Sequence, residues 1–128
     1  MKALVLTVAL VAITPGASLA CGACVEDKIA ATYDHGEVQR AATSGQVMVF
    51  CDVVGPLDPK LLKDVMRRVR GVKAQSVRVS VPLAAMSFAV NPAVSSPEGA
   101  VESAQRSMTY GTRLKIVRLQ WHTTPSLE

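Results

Sequence analysis

"QVMVFCDVVGPLDPKLLKDVMRRVRG", residues 46–71, joins two kinds of periodicity through a turn. Val47, Val49, Cys51 and Val53 alternate with Met48, Phe50 and Asp52, which is the period of a strand with two different faces. Gly55-Pro56 turns the chain, and Asp58 before Pro59 is a helix N-cap followed by proline at the first helical position. The helix is expected to run to about Arg70 and to bury Leu61, Leu62, Val65 and Val69, with Gly71 as its stop.

Toward the C-terminus the same two periods recur. A strand is expected over 72–81, where Val77, Val79 and Val81 alternate with Arg78 and Ser80. Pro82-Leu83 makes a tight link to a strand over 84–91, with Met86, Phe88 and Val90 against Ser87 and Ala89. Ser95 or Ser96 caps a helix over 97–108 that turns Val101, Ala104 and Met108 inward, and a last strand spans 113–120. Strand, helix, strand, strand, helix, strand predicts an α+β fold: a ferredoxin-like βαββαβ sandwich, with a four-stranded antiparallel sheet and two helices on one face.

Toward the N-terminus, Val25 to His35 reads as an extra helix. Val25, Ile29, Thr32 and Tyr33 lie on one side, and Gly36 is the expected C-cap. Glu37 to Ala42 extends or follows it, and Thr43-Ser44-Gly45 ends it. The bare fold leaves one sheet face open, where Met48, Phe50 and Asp52 point. The extra helix is expected to cover that face with Val25, Ile29 and Tyr33.

Residues 1–20 read as a signal peptide. Lys2 precedes an uncharged apolar run from Ala3 to Ile13, Pro15-Gly16 breaks it, and Ser18-Leu19-Ala20 offers small residues to a signal peptidase. The run is too short for a membrane span, which needs about 20 residues. The expected division is therefore a leader (1–20), a C-x-x-C helix (21–45), the ferredoxin-like domain (46–120) and a tail (121–128). The expected location is periplasmic or secreted. A lipoprotein with Cys21 acylated is the alternative, although Ser18 stands where such signals usually place leucine.

Without Lys2, thirteen basic side chains face ten acidic ones, a net charge of about +3, which is too mild to argue for nucleic acid. Arg67, Arg68 and Arg70 cluster at a helix C-terminus, where cations suit the dipole, and read as a solvated end rather than an anionic docking patch. The sequence holds no serine–histidine–acid set, glycine-rich phosphate loop or supported carboxylate pair, and an enzyme is not expected.

"LLKDVMRRVRGVKAQSVRVS" (61–80) followed by "MSFAVNPAVSSPEGAVESAQRS" (86–107) resembles the heavy-metal-associated domain family, the copper and mercury chaperone fold. The likeness covers 46–119. It lies in the Gly-Val entry to the second strand and in the Asn-Pro turn that feeds the second helix. The resemblance implies the ferredoxin-like fold and metal handling. The family carries its C-x-x-C between the first strand and first helix; here that loop is "VVGPLDPKLL", without a cysteine, so the family's ligands have no counterpart in it.

Cys21-Gly22-Ala23-Cys24 instead opens the mature chain. Two thiols at this spacing converge on one soft ion such as Cu(I), and a helix start behind them favours thiolates. Cys21 and Cys24 are thus the expected metal ligands. A closed zinc site wants four ligands, so it would need distant residues such as His35 or His122 to converge. The expected function is an exported metal-binding protein for transport, sequestration or resistance, with a protein partner for metal transfer and no transmembrane segment after cleavage. Two alternatives stand beside it: a thiol–disulfide redox protein using Cys21 and Cys24, and a non-catalytic interaction domain. Cys51 alternates with valines and reads as core, His35 as a helix C-terminal residue, and Met48, Met66, Met86 and Met108 as ordinary packing.

Overall fold

The computed structural model describes residues 24–108 and 111–121. The expected leader, Cys21, His122 and the rest of the tail lie outside them. The elements in chain order are α1 (Val25–Thr32), α2 (His35–Thr43), β1 (Val47–Val54), α3 (Pro59–Arg68), a 3-10 turn (Ala74–Ser76), β2 (Arg78–Ser80), β3 (Ala85–Val90), α4 (Pro97–Arg106) and β4 (Arg113–Gln120). The strands form one antiparallel sheet in the order β2-β3-β1-β4, so each of α3 and α4 crosses between parallel strands with an antiparallel one between them. That is the ferredoxin-like α+β arrangement.

The alternation along β1 divides the molecule. Val47, Val49, Cys51 and Val53 join Met86, Phe88 and Val90 of β3 under Leu62, Val65 and Met66 of α3 and Ala100, Val101 and Ala104 of α4. Met48 and Phe50 point the other way, to Ile29 of α1 and Ala41 of α2. The sheet is thus sandwiched between two helical layers.

Local chemistry sets the ends of α3 and α4. The Asp58 carboxylate accepts from the amides of Lys60 and Leu61, and the Ser96 hydroxyl accepts from Gly99; proline follows each cap. Gly55 has a φ of 93°, and a Cβ there would stand 2.1 Å from the Gly111 carbonyl oxygen. Only glycine fits where the β1–α3 and α4–β4 loops meet. The Thr112 hydroxyl donates to the Pro56 carbonyl at 2.6 Å and ties the same loops together.

Four expectations need correction. The helix expected over Val25–His35 ends at Thr32, and a second begins at His35, so Gly36 lies inside α2 and is no C-cap. Asp34 breaks the run, because its carboxylate caps α2 by accepting from Glu37 N at 2.9 Å. The strand expected over 72–81 shrinks to Arg78–Ser80, with an isolated bridge from Val72 to Val90. Buried Ser76 replaces the missing rungs: its hydroxyl accepts from Ala89 N at 2.8 Å and donates to Lys73 O at 2.6 Å.

Leu61 is exposed instead of buried, and Met66 takes the inward place. Val25 and Tyr33, both 45% exposed, do not cover the sheet. Val25 sits in the first turn of α1 and Tyr33 lies past its end. Ile29 and Thr32 are the residues of α1 that bury.

Candidate thiol site

Cys24 is the N-cap of α1, in extended backbone conformation, and its carbonyl accepts from Lys28 N at 3.2 Å. Its thiol is exposed and donates to the Asp27 carboxylate at 3.2 Å. What fixes this thiol in space is the path of α1. Arg78, Ser87, Phe50 and Arg118 stand side by side across β2, β3, β1 and β4. α1 lies along this row.

Contacts along the row come in order. Glu26 pairs with Arg118 on β4, and Ile29 packs with Phe50 on β1. Ser87 of β3 donates its hydroxyl to the Thr32 carbonyl at 3.1 Å. Asp34, just past α1, pairs with Arg78 on β2 at 2.7 Å. The helix therefore runs across the strands from the β4 edge to the β2 edge. Cys24, two residues before Glu26, stands at the β4 side.

Lys28 anchors the middle of the helix. Its ammonium pairs with Asp52 at 2.5 Å and donates to the Leu83 carbonyl at 3.0 Å, with the two side chains only 17% and 25% exposed. A pair this shielded is screened less by salt than the surface pair Glu26–Arg118. At the elbow between α1 and α2, Asp34 is held below the usual carboxylate range, first by the hydrogen bond from Glu37 N and then by Arg78. The Arg40 guanidinium is pushed above its ordinary value by its hydrogen bond to Glu37.

The other candidate ligands lie elsewhere. Cys51 is 1% exposed in the larger core, as its alternation with valines requires. Burial, and secondarily the Asp52 carboxylate, push its thiol up to about 12, so it stays protonated near neutrality. His35 is the first residue of α2, not a helix C-terminal residue, and is exposed beside the Tyr33 hydroxyl. It follows α1, a helix of about 12 Å, and so lies at the far end from Cys24. Met48, Met66 and Met86 are buried in the cores, and Met108 packs against the larger one.

Among the described residues no three His, Cys, Asp or Glu side chains converge as a metal-binding group. Cys24 is the exposed one of the two described thiols, and Cys21 lies outside the described residues. Asp27 sits in the first turn of α1, where its charge suits the helix N-terminus, and its position three residues after Cys24 puts it on the same helix side. No helix among the described residues is long and apolar enough to cross a membrane. Comparisons with family models, with curated proteins and with solved structures find no match.

Proposed function

We propose that the chain is an exported metal-binding protein that carries one soft ion such as Cu(I) between Cys21 and Cys24. The observation that carries this reading is the contrast between two thiols. Cys24 is exposed at the start of a helix anchored to three of the four strands by side-chain pairs, whereas Cys51 is sealed in the core. A thiol on a fixed helix start, with a second one two residues earlier, supplies two soft donors and leaves the ion open to a receiving protein. Transport, sequestration or resistance all follow from such exchangeable binding. The ferredoxin-like body supports the kinship with heavy-metal-associated domains, with one difference in design. The loop from β1 to α3 holds Asp58 as a helix cap rather than thiols, and Cys24 instead opens a helix that packs on the opposite sheet face.

The reading is tested on protein isolated from its native host. Mass spectrometry should show a chain beginning at Cys21, and Cu(I) should protect two thiols per chain from alkylation. Acylation of Cys21 would turn the protein into a membrane-anchored lipoprotein and leave a single thiol at the site, contradicting the two-thiol mechanism. Indifference of the alkylation rate to Cu(I), with turnover by a disulfide reductase, would replace metal carriage by thiol–disulfide exchange.

A further inference from the structure

The α3 side of the molecule carries a charge pattern that neither the fold nor the thiol site uses. Six of the chain's fourteen Lys and Arg residues fall between Lys60 and Lys73. Lys60, Lys63 and Arg67 recur at helical spacing on the outer side of α3, and Arg68 and Arg70 continue past them. The helix dipole accounts for Arg67 and Arg68 in the last turn, but not for Lys60. Lys60 sits in the first turn, where a cation is disfavoured and where no acidic residue accompanies it. Of the nearby acids, Asp58 is occupied in capping the helix, and Asp64 reaches Arg67 only at 3.9 Å.

A hollow of about 270 Å³ opens at the same end of α3, lined by Pro56, Leu57, Leu61, Leu62 and Met108 together with Thr112 and the helix-capping Asp58. Leu61 is 39% exposed there, next to Lys60 in the chain. The hollow is smaller than the roughly 300–1,000 Å³ typical of small-molecule pockets, and suits one apolar side chain of a partner. Its apolar residues line a concavity, which favours a seated side chain of a protein segment over insertion into a lipid surface. α3 packs on the sheet face opposite α1, so a partner here leaves Cys24 open.

We infer that the outer face of α3 and the hollow at its N-terminal end form a docking surface for an acidic protein segment that seats one apolar side chain beside Leu61. Charge complementarity supplies the approach, and the seated side chain sets the register.

The test uses the full mature chain and a short fluorescent peptide of Asp and Glu with one central Phe. Fluorescence anisotropy should show saturable binding that weakens as salt is raised. Lys60→Glu with Arg67→Glu should weaken it about tenfold, and replacing the peptide's Phe by Ser should weaken it about fivefold. Both protein positions are solvent-exposed, and circular dichroism checks that the variant is folded; the milder Lys60→Ala with Arg67→Ala should weaken binding in the same direction. Equal binding by the wild type and the folded charge-reversed chain would overturn the inference. So would equal binding of the Phe and Ser peptides. Capture by phosphatidylglycerol vesicles without peptide binding would assign the face to a membrane surface instead.

Discussion

On the sheet face under α3 and α4, fifteen buried apolar residues among those described form one cluster, from Val47 to Leu114. On the face under α1 and α2 the buried cluster is Ile29, Ala41, Met48, Phe50 and Ala89. The second layer makes up the difference with polar links to every strand: Glu26–Arg118, Lys28–Asp52, Thr32–Ser87 and Asp34–Arg78. Apolar burial is roughly proportional to area and is not screened by salt, while exposed ion pairs contribute about 0–1 kcal/mol each. The larger core therefore specifies the fold, and the smaller one positions a helix on it. The candidate site belongs to the weaker layer.

Truncation in the two cores should separate them most clearly. Phe88→Ala, in the fully buried centre of β3, should cost about 3–5 kcal/mol and lower the unfolding midpoint of the whole chain. Ile29→Ala should cost about 2 kcal/mol, the low end of the range for such a truncation, because the α1–α2 layer opens locally. Hydrogen exchange should then quicken in residues 25–43 while β1 and β3 stay protected. Uniform loss of protection in both variants would merge the two layers into one cooperative unit.

The ion pairs give a smaller effect. Asp52→Ala leaves a shielded Lys28 with only the Leu83 carbonyl and should cost about 1–2 kcal/mol, largely unaffected by salt. Arg118→Ala should cost under about 1 kcal/mol and vanish at high salt. Equal salt sensitivity of the two variants would contradict the shielding of Lys28.

Acid should act at the elbow. The Asp34 carboxyl is depressed in the folded protein, so its contribution is complete above the ordinary carboxylate range and is lost as the pH falls through and below it. The chemical shifts of α1 and α2 should move in that window more than those of α3, and Asp34→Asn should abolish the difference.

The two layers also differ in how much of them the sequence revealed. α3, α4, β1, β3 and β4 stand close to where period and caps put them, because Asp58-Pro59 and Ser96-Pro97 are local signals and the strands alternate cleanly. The break at Tyr33-Asp34 is hidden although Asp34 and Glu37 have capping-box spacing, because Gly36 offers a competing stop signal just after the apolar pattern ends at Tyr33. The shortening of β2 was not legible at all: it rests on the Ser76 hydroxyl meeting an amide thirteen residues away. Cys24 stood out as a candidate from its spacing alone. Its place at the β4 side did not, because that depends on Glu26 meeting Arg118, ninety-two residues later.

Replacing Cys21 and Cys24 by serine should have the smallest effect on stability, under about 0.5 kcal/mol in metal-free protein, since Cys24 is exposed and outside both cores. A large loss would make the pair structural and remove the reason to regard it as a carrier.

Titration of the reduced, unacylated mature chain with Cu(I) against a competing chelator tests the contrast between the two described thiols most directly. The wild type should bind one equivalent. Cys24→Ser should abolish that binding, because it removes one of two donors, while Cys51→Ser should keep it, because Cys51 is buried and protonated. Equal loss in both variants would place Cys51 at the metal and contradict the position of α1, and no binding by the wild type would contradict metal carriage itself.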